Sequence, residues 1–300
     1  MNKLILTLFF LSSFIFAQST EKNLQNNSFT FDVTADMRNY AEPEYHSSEY
    51  FLGVCEAVKS VGKGEFMISP GDIDPPFHVQ ETIAEVLGKD YFWYPVLGNH
   101  EVETEDDMNF LTKYMASEIP NLVNEGPQNA KKTMYSFDFK NAHFIVLNQY
   151  YDGMSTEGLD GDISDSTYIW LKNDLEKNVK QFTFVFGHEP LVSMPDYDNG
   201  RIRHVGDNLD KYPEHLLRFM NLLREHKISA YFCGHTHNFS YTKINGIWQI
   251  DAGHSRGKGD EGARSTFLKV NVNENDFIID VYRCEPNFID YSLTHHLKLD

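Results

Sequence analysis

Cysteine is scarce: three in 300 residues, too few to staple a small disulfide-built fold. Being odd in number, Cys55, Cys233 and Cys284 leave at least one thiol unpaired within the chain. Cys233 lies in an apolar run and belongs to the core. Basic residues are also short, 26 Lys and Arg against 44 Asp and Glu, a formal net charge of −18. That excludes a general nucleic-acid-binding surface, because phosphate backbones would be repelled; a local cationic or metal-bearing pocket still attracts a single phosphate. Beyond the first residues there is no apolar run long enough to span a bilayer.

The one long apolar run, Leu4 to Phe16, follows Lys3 and ends in Ile15-Phe16-Ala17. This pattern predicts a secretory signal peptide over residues 1–17, hence an exported protein, periplasmic or secreted, with no membrane span after signal removal. Residues 18–28 are polar and Asn-rich and predict a linker. With 41% hydrophobic residues, the remainder can bury a substantial core.

From Phe29 onward, strand-like and helix-like stretches alternate. Strands are expected over Phe29 to Ala35, Gly64 to Ser69 and Tyr91 to Val96, with helices over Tyr50 to Val61 and Val79 to Leu87. A helix over Met108 to Ser117 follows. Next comes a β-hairpin turning at Lys140-Asn141, a Gly-rich acidic loop over residues 152–165, and a helix over Thr167 to Asn178 capped by Ser164 or Ser166. A strand at Phe182 to Phe186, a loop at Met194 to Tyr212, a helix at Pro213 to His226 and a strand at Ile228 to Cys233 complete the alternation. Further strands reach Arg283, with Asn245-Gly246 as a turn. The alternation predicts an α/β fold, in which sites form beyond the carboxyl ends of strands. One domain is expected over residues 29–285, with 286–300 as a C-terminal extension.

Five polar clusters sit at such strand ends: Asp36-Met37-Arg38, Gly71-Asp72, Gly98-Asn99-His100-Glu101, Gly187-His188 and Gly234-His235-Thr236-His237. Carboxylate oxygens with imidazole nitrogens are a ligand set for zinc, manganese or iron. Any one cluster alone is an ordinary polar turn; five in series are not.

In order and approximate spacing the set resembles the calcineurin-like metallophosphoesterase superfamily, over Phe29 to about Arg283. The resemblance implies two facing mixed β-sheets flanked by helices, an α/β/β/α sandwich, with a centre of one or two metal ions (Mn, Fe or Zn). Carried over by position, Asp72 bridges, Asn99, His188 and His235 complete one site, and Asp36 and His237 serve the other. It also implies in-line attack on phosphorus by a metal-held hydroxide, with His100 bonding the phosphate or protonating the leaving oxygen. The substrate class implied is a small phosphate monoester or diester.

Arg38 departs from the pattern, standing where the superfamily has His. Guanidinium has no free lone pair and cannot replace an imidazole ligand. The purple acid phosphatase branch uses a Tyr shortly after Gly-Asp, where this chain has Pro75. Three arrangements follow. Asp36, Asp72, His237 and water hold the metal; or Asp74 or Tyr40 substitutes; or one metal works alone while Arg38 clamps the phosphate. Arg38 as a clamp competes with Arg38 in an ion pair. Arg201 and Arg203, near His204, are candidates for substrate binding, against ordinary solvated surface. Glu101 and Glu189 either orient imidazoles or face water, and His254 is a weaker pocket-rim candidate. The expected function is an exported metal-dependent phosphoesterase. The alternative is a catalytically degraded relative that binds a phosphorylated ligand or a protein partner.

Overall fold

The computed structural model of the chain describes residues 27–130, 132–151 and 161–299. The expected signal peptide, residues 18–26 of the expected linker and residues 152–160 of the acidic loop lie outside them. In chain order the elements are β1 (Phe29–Val33), α1 (Phe51–Ser60), β2 (Phe66–Pro70), α2 (Pro76–Leu87), β3 (Phe92–Val96), α3 (Glu105–Glu118), β4 (Leu122–Glu125), β5 (Tyr135–Phe139) and β6 (Ala142–Val146). They continue with α4 (Asp165–Lys177), β7 (Phe182–Phe186), α5 (Pro213–Glu225), β8 (Ala230–Cys233), β9 (Phe239–Ile244), β10 (Ile247–Ala252), β11 (Thr266–Val272), β12 (Phe277–Cys284) and β13 (Tyr291–Lys298).

Two mixed sheets face one another. One runs β13-β12-β11-β1-β2-β3 and the other β4-β5-β6-β7-β8-β10-β9. Strand alternation explains why. Along β6, β7 and β8, Ala142, Phe144, Val146, Phe182, Phe184, Phe186, Ala230 and Phe232 point into the core shared by the sheets. The intervening Ile145, Val185, Tyr231 and Cys233 point the other way, onto Leu171 and Leu175 of α4 and Phe219 and Leu223 of α5. These strands are covered on both faces and therefore read as unbroken apolar runs. The shared core is rich in phenylalanine: Phe31 meets Phe144 edge-on at 5.2 Å and Phe184 at 5.4 Å. The first sheet's other face is covered by helices such as α1, whose buried Phe51, Val54, Cys55 and Val58 fall at helical spacing. Of the two candidate caps for α4, Ser164 is the one used, its hydroxyl accepting from the Thr167 amide. All three cysteines are buried free thiols.

One boundary is corrected. Residues set aside as a C-terminal extension form β13, which pairs antiparallel with β12 from Cys284–Tyr291 to Ile278–Lys298. The domain's first sheet therefore continues to Lys298. Its sequence, Tyr-Ser-Leu-Thr-His-His-Leu-Lys, is polar because an edge strand keeps much of its surface in water.

What matters for function is where strands end. β1, β2 and β3 lie parallel and adjacent, and release Asp36, Asp72 and Asn99 at one rim. β7 and β8, also parallel, release His188 and His235. The loop after β7 is pinned by the fully buried Arg283 of β12, which bonds Asp196 at 2.7 Å and Asp198 at 2.8 Å.

Candidate metal centre

Backbone strain marks the rim. Asp36, Asp72, His235 and His237 all hold positive φ, at 53°, 51°, 69° and 57°, a region uncommon for residues with a side chain and concentrated at functional sites. Each turn aims a side chain inward. Gly234 permits the approach, since a Cβ there would overlap Asp36 Oδ2.

Asp36, Asp72 and His237 bring one ligand atom each within 4.8 Å of one another, and all three are buried. His237 Nδ1 donates to Asp260 Oδ2 at 2.8 Å, which leaves Nε2 as a lone pair 3.6 Å from Asp36 Oδ1. Beside this group, His188 Nδ1 donates to the Pro70 carbonyl at 2.8 Å. Its Nε2 is thus also a lone pair, 3.3 Å from Asp72 Oδ1 and 3.2 Å from His235 Nδ1. Asp72 touches both groups, as a bridging carboxylate would.

These donors fit a cation. Among the described residues, the buried Asp36 Oδ1 and Asn99 Oδ1 have no hydrogen-bond partner, a costly state unless something positive sits against them. Burial and the adjacent Asp72 push the Asp36 carboxyl well above its usual range, with Arg256 opposing. Burial and neighbouring His188 hold His235 far below the usual imidazole value, and burial likewise depresses His237. Neutral imidazoles and crowded carboxylates are what a transition metal stabilises.

The remaining candidates divide. His100 lies beside the centre, Nε2 3.7 Å from Asp72 Oδ2. Arg38 joins it: Nη1 is 2.8 Å from His100 Nε2 and Nε is 3.3 Å from Asp74 Oδ2. Guanidinium only donates, so His100 Nε2 accepts and the imidazole proton resides on Nδ1, which lies 3.2 Å from Glu103 Oε1 but outside hydrogen-bond geometry. Asp74 thus holds Arg38, and Tyr40 stacks on Tyr50 at 5.6 Å. Arg201 is fully engaged, its Nη1 and Nη2 on Asp260 at 2.9 and 3.2 Å and its Nε on Asn238 at 2.8 Å. Arg203 is more loosely held, 3.5 Å from the Thr236 carbonyl and 3.9 Å from Asp260.

Glu101 and Glu189 orient backbone rather than imidazoles. Glu101 is fully buried and accepts from the amides of Gly98, Asp72 and Ile73 at 2.5, 3.1 and 2.7 Å. Glu189 accepts from Tyr150 and the Gly161 amide, and burial pushes it up to about 7. His254 is not at the rim. It is buried, donates to the Ala263 carbonyl at 3.0 Å and accepts the Arg256 amide.

Two neighbours, Asp260 and Arg256, escaped sequence reasoning; a third, His204, was expected only as part of the Arg201–His204 loop. Asp260 stands in a Gly-rich turn with no motif. Arg256 donates to the Asp36 carbonyl. The ring of His204 lies 4.2 Å from that of His235.

The family model for calcineurin-like phosphoesterases matches residues 29–239. The chain belongs to that family. A curated relative, tartrate-resistant acid phosphatase type 5 of Sus scrofa, is 31% identical over 87 residues, 28% of this chain. The match spans about a fifth of that relative, 22% of its length. Among solved structures, GAP50, the anchor in the inner membrane complex of Plasmodium, is similar with a TM-score of 0.60 at 15% identity, over 91% of this chain and 89% of that one. PhoD is similar with a TM-score of 0.60 at 11% identity, over 91% and 72%. Both likenesses are of fold, and this family member shares with them the sandwich described above.

Proposed function

We propose that the chain is an exported, metal-dependent phosphoesterase acting on small phosphate monoesters or diesters. The observation that carries this is the inward convergence of lone pairs and unpartnered buried oxygens from two sheets. Asp36, Asp72 and His237 would hold one ion, and Asp72, Asn99, His188 and His235 a second, of Mn, Fe or Zn. Bound there, such an ion supplies a water of lowered pKa and positive charge for the phosphoryl oxygens. The expected signal peptide supports export. Among the described residues, no helix is long and apolar enough to cross a membrane.

The chain's own groups then have distinct tasks. Arg38 is half-buried and held by His100 and Asp74. A phosphoryl oxygen is a stronger acceptor for guanidinium than imidazole is, so an entering phosphate draws Arg38 off His100. That frees the lone pair of His100 Nε2, which takes up a proton from solvent; the resulting imidazolium faces the ester oxygen, where it bonds the phosphate or returns that proton to the leaving group. Arg203 holds a further phosphoryl oxygen. Arg201, tied to Asp260, does not.

The test is hydrolysis of aryl phosphate monoesters and diesters by purified protein with added manganese, alongside metal analysis. Turnover abolished by chelation and restored by metal is expected. Protein that bound no transition metal and hydrolysed neither ester would be the degraded relative, a binding protein.

A further inference from the structure

We infer that Asp260 and Arg201 are positioning residues for the Asp36–Asp72–His237 half of the centre, fixing how His237 presents its lone pair; the inference rests on the metal-site reading above. A neutral imidazole can carry its proton on either nitrogen, and only the form protonated at Nδ1 offers Nε2 to the pocket. His237 is held in that form by one acceptor, Asp260 Oδ2 at 2.8 Å. Asp260 is in turn surrounded by donors. Arg201 gives it two parallel N–H bonds, at 2.9 and 3.2 Å, and the Gly262 amide a third at 2.8 Å. Four donated hydrogens on two oxygens leave no room for a proton or an amide NH2.

Arg201 also grips the ligand segment itself, through the His237 carbonyl at 3.2 Å and Asn238 Oδ1 at 2.8 Å. It therefore ties side chain, backbone and carboxylate of one ligand into a single rigid unit. Arg201 and Asp260 stand on two loops far apart in sequence. The Arg201 loop also carries Arg203 and His204 to the rim. Carboxylate partners of this kind change metal affinity by about 10–100-fold when removed.

The experiment uses Asp260→Asn, Arg201→Gln and the double variant of the whole protein. Manganese binding is titrated calorimetrically into metal-stripped protein, and the tautomer of His237 is read from imidazole nitrogen chemical shifts. We expect Asp260→Asn to weaken one manganese site about 10–100-fold while leaving the other, and to move the His237 proton off Nδ1. The double variant should lose less than the sum of the two single losses, since both residues act in part through one imidazole. Arg201→Gln should show a smaller loss and rescue no function in Asp260→Asn. Unchanged affinity and an unchanged tautomer in Asp260→Asn overturn the inference, even if the wild type is an active phosphoesterase. A wild type that binds no manganese removes the phosphoesterase reading instead. The tautomer in metal-free protein then still decides the role of Asp260: a proton that leaves Nδ1 in the variant supports it, and one that stays refutes it. Melting temperature identifies a variant that merely unfolds, and Asp260→Glu, which keeps the carboxylate, should recover part of the affinity where a folding defect would not.

Discussion

Replacing Glu101 should destabilise the protein more than any surface position, and the size follows from its surroundings. Its carboxylate is fully buried and faces three backbone amides, those of Gly98, Asp72 and Ile73. Truncation to Ala strands all three, and each buried unsatisfied amide costs about 1–3 kcal/mol. Some will find water in the space vacated, so about 4 kcal/mol is the expected loss for Glu101→Ala. Glu101→Gln keeps one acceptor oxygen, but its NH2 then meets an amide hydrogen, and about 2 kcal/mol is expected. At roughly 2–4 °C per kcal/mol for a domain of this size, the melting point falls by about 8–16 °C for Ala and about half that for Gln. Calorimetry and urea unfolding of metal-free protein measure this without interference from ion binding. The same amides set the position of Asp72, so manganese affinity should drop in parallel. If both variants melted within a degree of wild type, the claim that this carboxylate fastens the Gly71 and Gly98 turns together would be refuted.

Arg38→Ala should lower kcat/KM on aryl phosphates about 10–100-fold through loss of charge-assisted bonds to the phosphoryl group; unchanged kinetics would remove the clamp. Gly234→Ala should lose metal affinity by at least about 10-fold, because the new methyl overlaps Asp36 Oδ2, and equilibrium dialysis reads it directly. His143, on β6, is held at both nitrogens, by Asp138 at 2.7 Å and Asp174 at 2.9 Å. Burial opposes its charging, but the bonds to Asp174 and Asp138 win and raise it above the ordinary 6.5. A folded-state value above the unfolded one adds stability that is complete below pH 6.5 and is lost as pH rises through the folded value. The urea midpoint of wild type should therefore fall from about pH 6.5 upward relative to His143→Gln, and parallel pH profiles would contradict this.

Much of this was legible in the chain because the signals are periodic or local. Strand alternation and helix spacing locate β1 to β3, α5 and the β5–β6 hairpin. Asp36, Asp72, His188, His235 and His237 lie within reach of one another, and Asn99 leaves the strand end next to Asp72's, because residues at strand ends are specified by short motifs. What escaped is what has no period. β4 is a four-residue edge strand, Leu-Val-Asn-Glu, largely exposed and without alternation. β13 is polar for the same reason. Asp260, the carboxylate that claims Arg201, joins loops 59 residues apart, and nothing local to either residue announces the partner. Arg201 looked available for substrate because an arginine's charge is visible in a sequence and its counterion is not.

The two sheets contribute unlike chemistry to the rim: Asp36, Asp72 and Asn99 come from one, His188, His235 and His237 from the other. Neither half of the polypeptide, expressed alone, carries a competent set. A cation seated there, as proposed above, would act as a rivet through the seam of the sandwich, and its uptake would then report that both layers have closed on each other.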